Sequence, residues 1–199
     1  TLACSFGDKV NYALEGSVFI AGAAIQWLRD SLKVIGKASE TEKIAQSIEK
    51  LHDIYVVPAF AGLGAPYWDM YSRGAIFGLT RDTGVDHIIK ATLESLAYQT
   101  KDIIDIMEKD SGIKLKSLKV DGGACMNNYL MQFQSDLLDC EVLRPEIIET
   151  TAMGAGYLAG LQSNIWDKDQ IIKNQKIDRS FNPTINDSDR EKMYRGWKK

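Results

Sequence analysis

A pair of glycines after a predicted strand is the feature of this sequence best suited to binding a ligand. Leu118–Val120 is strand-like, Gly122 and Gly123 follow it, and Asn127 begins a helical segment. Two residues without Cβ atoms let a flat or anionic ligand approach the backbone, and ligands of open α/β sheets bind at the carboxyl ends of strands. Asn127 can cap its helix or form a hydrogen bond with a ligand hydroxyl. The pattern by itself fits a ligand-binding turn and a plain turn with a helix cap equally well.

Two further stretches could contact a ligand. Gly22 begins a helical turn of small residues, and the amide side chain of Gln26 lies four residues later. Helix packing explains that spacing as simply as ligand binding does. The loop 62–69 contains two glycines, a proline, Tyr67 and Trp68, a composition typical of lids and interfaces and equally of a structural aromatic anchor.

The carboxylates do not form a recognisable catalytic pair. Asp69 and Asp82 lie in predicted loops with no identifiable carboxylate partner, so paired acid–base hydrolysis is not indicated. Glu94 lies on the longest predicted helix, where we expect it to be solvated or structurally paired.

The cysteines and histidines fit neither a metal site nor a disulfide framework. His52 and His87 are 35 residues apart, and the cysteines are Cys4, Cys125 and Cys140. Cys125 could become reactive at a helix start, but a small filler residue is the simpler interpretation. Free thiols in a large domain favour a reducing compartment, so we expect a cytoplasmic protein.

Length and composition exclude several classes of protein. The chain has 199 residues, 45% of them apolar, which is ordinary for a globular domain and excludes disorder or a fibrous repeat. Its 24 basic and 27 acidic residues give a formal net charge of -3, so nucleic acid is not an expected partner. An apolar run of the roughly 20 residues that a membrane span needs is also lacking.

Hydrophobic periodicity predicts an α/β domain with partly parallel strands, which we treat as a single domain over residues 1–199. Strands and helices alternate after about residue 54. The first predicted elements are a hairpin (2–6 and 10–14, turning at Gly7-Asp8), helices at 18–32 and from 39, and strands at 54–58 and 75–80. A helix at 85–110, a strand at 118–120, a helix at 127–138 and a strand at 141–145 follow. The last predicted elements are a helix of small residues at 150–160 suited to close packing, extended chain at 181–183 and a polar helix from 187.

Read together, these stretches resemble the carboxy-terminal domain of the FGGY carbohydrate kinases, from about Asn11 to Trp197. The segment from Gly74 to Glu94 is similar to the second signature of that family, and Asp121-Gly122-Gly123 is similar to its adenosine motif. Ala65-Pro66-Tyr67-Trp68-Asp69 resembles the glycerol kinases more than the xylulose or gluconate kinases. Other matching stretches are 11–16, 22, 26–30, 56–60, 62–64 and 73–81.

The resemblance implies an actin-like, ribonuclease-H-like ATPase domain, with a mixed sheet flanked by helices. It would be the second of two such domains, with ATP and glycerol in the cleft between them. By similarity, Gly22, Gln26, Gly123 and Asn127 match positions that contact ATP. Mg²⁺ would come bound to the phosphates, with no dedicated protein site in this chain.

The family's catalytic Asp, its phosphate-binding turns and its glycerol-contacting residues match no position of this sequence. We therefore expect no catalytic residue here and interpret the chain, which lacks an initiating Met, as a piece of a longer protein. Phosphoryl transfer depends on positioning and on charge stabilisation by metal and donors. We expect a parent enzyme that phosphorylates glycerol, and a 199-residue chain that is inactive and binds nucleotide weakly at most.

Other interpretations remain open. The parent could be an FGGY kinase with another acceptor, or a nucleotide-binding module of the actin type without catalytic activity. A dinucleotide-binding dehydrogenase would need G-x-G-x-x-G, which Gly122 and Gly123 do not provide. Tyr67, Trp68 and Tyr71 carry enough aromatic area to anchor an interface, so we expect a homo-oligomeric parent.

Overall fold

The computed structural model describes residues 1–6, 9–48 and 53–199, and its first element is a hairpin. Strand β1 (Leu2–Phe6) pairs antiparallel with β2 (Lys9–Tyr12), which confirms the predicted pair of strands. The predicted turn residues, Gly7 and Asp8, lie outside the described residues.

Two short helices follow the hairpin, α1 (Gly22–Asp30) and α2 (Glu40–Ser47). The prediction that the first helix begins at residue 18 was wrong. Phe19 packs so closely on the loop at Gly64 that a Cβ there would lie 2.9 Å from its ring, and the Ile20 carbonyl accepts a hydrogen bond from Gln99 Nε2 at 3.2 Å. These contacts hold the preceding segment out of the helix.

A second antiparallel pair consists of β3 (Tyr55–Val57) and β4 (Ala75–Phe77). The expected buried strand is confirmed in β3, whereas β4 is largely exposed. β4 ends before the predicted residue 80 because Gly78 has a φ of 79° and its backbone lies against the Asp53 carbonyl, where a Cβ would overlap. A left-handed residue in so close an approach ends the strand.

Helix α3 (Val85–Ser111) is the centre of the core, and its predicted extent is confirmed to within one residue. It packs against α1, α2 and β3. Gly112 ends it with a φ of 69°, and its N–H donates to the Glu108 carbonyl at 2.8 Å. This is the left-handed C-cap that glycine favours. The buried apolar side chains of α3 are Ile89, Ala91, Leu93, Leu96, Ala97, Tyr98 and Ile103.

The predicted mixed sheet with flanking helices is confirmed in the second part of the chain. Strand β5 (Ser117–Lys119) pairs parallel with β6 (Glu141–Pro145), and β6 pairs antiparallel with β7 (Ile177–Phe181). A 3-10 turn (Gly123–Met126) and helix α4 (Asn128–Leu138) connect β5 to β6. Helix α4 packs on both α3 and β6 and contacts the glycine turn that precedes it.

Helix α5 (Thr150–Gln162) is the predicted helix of small residues, but most of its surface is exposed. Close packing occurs at Gly160, where a Cβ would overlap the Trp166 ring. The sequence reading missed α6 (Lys168–Asn174), although Asp167 and Gln170 form the reciprocal hydrogen bonds of a capping box, at 2.8 and 2.9 Å.

The polar helix predicted from residue 187 is α7 (Asp187–Trp197), and it closes the core. Its Trp197 stacks on Tyr98 of α3 with ring centroids 5.1 Å apart. In the described part of the chain, every helix is too short or too polar to cross a bilayer.

Candidate functional site

The four positions predicted to bind a ligand, Gly22, Gln26, Gly123 and Asn127, line one cavity of about 290 Å³. Helices α1 and α2, the middle of α3 and the glycine turn enclose it. Its volume lies near the lower end of the range for small-molecule sites, roughly 300–1,000 Å³. The remaining lining residues are Ile25, Arg29, Ala38, Ser39, Thr41, Glu42, Leu93, Leu96, Ala124, Met126 and Leu130.

The glycine pair forms one wall of this cavity, and its two members have different roles. Gly122 has a φ of 73°, and its N–H donates to the Ile148 carbonyl at 2.9 Å, so this residue sets the turn. A Cβ added to Gly123 would lie within 4 Å of no described atom, and the same is true of Gly22. The backbone at both residues is therefore open to a ligand.

Asn127 is the N-cap of α4, which confirms one of the two roles predicted for it. Its Oδ1 accepts from the Leu130 N–H at 2.9 Å, and its Nδ2 donates to Thr41 Oγ1 at 3.1 Å. Contact between Asn127 and a ligand remains a prediction. Both polar atoms of this half-buried side chain already have hydrogen-bond partners, so a ligand would share them.

The walls and rim of the cavity differ in polarity. Ile25, Leu93 and Leu96 are almost fully buried and give an apolar interior, while Gln26 and Arg29 of α1 are exposed. Apolar walls with a few polar groups are the usual environment of a small-molecule ligand.

A larger cavity, of about 430 Å³, lies between α5 and the strands β5 and β6. Its lining is a different set of residues, including Val120, Leu143, Met153 and Tyr157. We favour the smaller cavity as the ligand site because open backbone at two glycines and a helix N-cap meet there.

The scan against protein families matches residues 3–163 to a model described as the C-terminal domain of the FGGY family of carbohydrate kinases. The chain belongs to this family.

Curated relatives agree with this assignment. A glycerol kinase of Alkaliphilus metalliredigens is 60% identical over 200 residues, which cover 100% of this chain and 40% of that protein. A glycerol kinase of Caldanaerobacter subterraneus subsp. tengcongensis has the same identity and coverage. The FGGY chain described here thus spans about 40% of the length of these relatives.

Solved structures show the same fold. A glycerol kinase of Plasmodium falciparum with ADP superimposes with a TM-score of 0.87 at 37% identity, over 96% of this chain and 38% of that one. A xyloylose kinase from Brucella ovis superimposes with a TM-score of 0.79 over 92% of this chain and 38% of that one. Its identity is 21%, so it supports the fold alone.

The sequence reading missed two groups beside the glycine turn of this FGGY domain, Glu42 and Arg144. Ser39 and Glu42 have the spacing of a capping box, but Glu42 accepts hydrogen bonds from Asn128 of α4 instead. Arg144 is buried, and its Nη1 donates to the Cys125 carbonyl at 3.0 Å. The capping-box spacing singled out Glu42 but suggested a hydrogen-bond partner within its own helix. Nothing in the sequence pattern distinguished Arg144.

Three further chemical candidates, Cys125, Asp69 and His87, have structural roles. Cys125 is 1% exposed, and burial raises the pKa of its thiol, so it is a filler residue as expected. Hydrogen bonds from the Ser72 hydroxyl and from the N–H groups of Tyr71 and Ser72 lower the pKa of Asp69 and close its loop. His87 Nδ1 accepts from the Gly84 N–H at the start of α3, at 3.1 Å, and His52 lies outside the described residues.

Glu94 has one of the two roles expected for it, that of a structurally paired residue. It is 6% exposed on α3 and accepts a hydrogen bond from the Tyr129 hydroxyl at 2.5 Å. Burial raises the pKa of Glu94 to about 7, and the Tyr129 hydrogen bond and the charge of Lys90 counteract only part of that shift.

We expect this buried acid to make the FGGY domain less stable as the pH rises. Between the ordinary pKa of 4.5 and the folded value of about 7, the folded state holds the proton more tightly than the unfolded state does. The contribution of Glu94 to the free energy of unfolding is therefore greatest below pH 4.5. It falls by at most about 3 kcal/mol as the pH rises to about 7. Glu94→Gln, which stays neutral, should remove this slope in urea unfolding measured from pH 5 to 8. Parallel pH profiles for the two proteins would contradict the prediction.

Proposed function

We propose that this chain forms the nucleotide-binding part of an ATP-dependent glycerol kinase, which transfers the γ-phosphoryl group of ATP to a hydroxyl of glycerol. The observation that carries the proposal is the cavity at which Gly22, Gln26, Gly123 and Asn127 meet. The names of the similar proteins, glycerol kinases at 60% identity and one solved with ADP, support this nucleotide and this acceptor.

The cavity fits one part of a nucleotide better than the whole. Its walls are apolar, so they suit the base, which can pack against Leu93 and Leu96. The open backbone at Gly123 suits the sugar or the first phosphate, since a Cβ there would occupy the space. Gln26 and Asn127 would orient the bound nucleotide from the rim. Holding the donor in one orientation is a large part of catalysing its reaction.

The transfer itself would use groups contributed by the rest of the parent enzyme. A glycerol oxygen attacks the γ-phosphorus, the bond to the oxygen bridging the β- and γ-phosphates breaks, ADP leaves, and the hydroxyl proton passes to a base. Among the described residues, clusters of three or more His, Cys, Asp or Glu side chains that could hold a metal are absent. In our proposal Mg²⁺ arrives with the phosphates.

The proposal extends to the organisation of the parent. We infer that residues 1–199 form one domain of a cytoplasmic enzyme and that the parent is a homo-oligomer. Trp68 and Tyr71, which are 68% and 93% exposed, support an interface at the loop that precedes β4.

Isothermal titration of the 199-residue chain with ATP and ADP tests the first part of the proposal. We expect weak, saturable binding of both nucleotides and no glycerol-dependent release of ADP in a coupled assay. Turnover by the chain alone would contradict the assignment of its role, and absence of any nucleotide binding would contradict the assignment of the cavity.

The acceptor is tested in the full-length parent with glycerol, xylulose and gluconate at equal concentrations. A kcat/KM highest for glycerol supports the proposal. A preference for either sugar substrate would favour another branch of the family, and binding of ATP without transfer to any acceptor would favour a module that is not catalytic.

A further inference from the structure

Helix α2 forms one side of the cavity and is attached to the start of α4 by side-chain hydrogen bonds. Glu42 Oε2 accepts from the Asn128 N–H at 3.1 Å, and Glu42 Oε1 accepts from Asn128 Nδ2 at 2.9 Å. Thr41, which is 1% exposed, accepts from Asn127 Nδ2 at 3.1 Å. Three hydrogen bonds therefore join two helices that are far apart in sequence, directly beside the glycine turn.

The same Asn128 side chain is held at its other end by Arg144. Its Oδ1 accepts from Arg144 Nη1 at 3.1 Å, and Arg144 Nη1 also donates to the Cys125 carbonyl inside the glycine turn. Arg144 is itself fixed by Asp178, whose Oδ2 accepts from Arg144 Nε at 2.8 Å. Asn128 is thus the link between α2 and the arginine that supports the turn.

The chemistry of these contacts makes the connection rigid. Asn128 is the first residue of α4, so its N–H is one of the helix N-terminal donors that need a partner, and a carboxylate at a helix N-terminus is favoured by the helix dipole. Hydrogen bonds to charged groups are shorter and stronger than neutral ones. A half-buried Glu42 on one side of Asn128 and a buried Arg144 on the other leave the amide one orientation.

We propose that Glu42 is a positioning residue for the nucleotide, acting through Asn128. It fixes the distance between the start of α2, where Ala38 and Ser39 line the cavity, and the wall at Gly123 opposite. This inference rests on the proposed function. When the link is broken, α2 moves away from the turn and the cavity no longer holds the nucleotide closely. The acceptor, which binds elsewhere in the parent, is unaffected.

A double-mutant cycle in the full-length parent tests this role, since Asn128 lies outside the cavity lining and Glu42 lies within it. Glu42→Ala and Asn128→Ala are each expected to raise the KM for ATP on the order of tenfold, with the KM for glycerol and kcat nearly unchanged. Because both substitutions break the same link, the double variant should be no worse than either single one. Lys43→Ala, at an exposed position of α2, is the matched control and should behave as wild type.

Four outcomes would overturn the proposal. Additive effects of the two substitutions would mean that Glu42 contacts the nucleotide directly, and unchanged ATP kinetics would mean that the link is irrelevant. A lower melting temperature with equal changes in both KM values would indicate a purely structural role. The Glu42→Gln variant keeps one accepting oxygen and the side-chain volume, so it separates an effect on folding from an effect on positioning. It should fold normally and lose part of the ATP affinity. Wild-type ATP kinetics in this variant would be the fourth contrary outcome. Failure of the proposed function is distinct, since the wild-type chain would then bind no nucleotide.

Discussion

Replacing Gly123 by valine is expected to weaken nucleotide binding at least tenfold, about 1.4 kcal/mol or more, while leaving the fold intact. The backbone at Gly123 lies outside the left-handed region, and a Cβ there meets no described atom within 4 Å, so a side chain can begin at this position without a clash of its Cβ. The valine side chain instead fills the space in which the ligand would approach the backbone. Isothermal titration with ADP, together with circular dichroism to verify the fold, measures both parts of the prediction.

The matched control is Gly154→Val on α5. A Cβ at Gly154 is equally free of described neighbours, but this residue lines the larger cavity beneath α5. We expect Gly154→Val to bind ADP as the wild type does. If Gly154→Val loses binding and Gly123→Val retains it, the nucleotide occupies the larger cavity and our assignment of the site is wrong.

The glycine turn was predictable because local sequence determines it. A strand, two glycines and an asparagine that begins a helix specify a tight turn with an N-cap, and Gly122 and Asn127 have those roles in the structure. The regular spacing of apolar residues was equally informative, because it predicted the extent of α3 to within one residue. That Gly22 and Gly123 would meet at one site, by contrast, was predicted from the family resemblance and not from any spacing.

The features that sequence reasoning missed depend on partners that are distant in the chain. α1 begins late because Phe19 and Ile20 contact residues far along the sequence. Glu42 has the spacing of a local cap, and Asn128, 86 positions away, is a better partner for its carboxylate. A single sequence carries the local preference, and tertiary contacts decide whether it is used.

Replacing Asp102 by alanine is expected to be the most destabilising of the changes considered, by about 3 kcal/mol. Its side chain is 2% exposed on α3 and accepts hydrogen bonds from the hydroxyls of Tyr67 and Tyr194 at 2.9 and 2.6 Å and from Trp197 Nε1 at 2.8 Å. Lys198 Nζ lies 3.2 Å from the same carboxylate. Alanine would remove the acceptor from all of these donors at once and weaken the attachment of α7 and of the loop at Tyr67 to the central helix.

Asp110→Ala is the matched control, because Asp110 lies about two turns further along α3 at an exposed position. An exposed carboxylate on a helix surface typically contributes about 0.5 kcal/mol or less to stability. Urea unfolding of the two variants should therefore differ by several-fold in the stability lost. Equal losses would mean that water replaces Asp102 as the acceptor, and α7 would then be held by the stacking of Trp197 on Tyr98 instead of by the buried carboxylate.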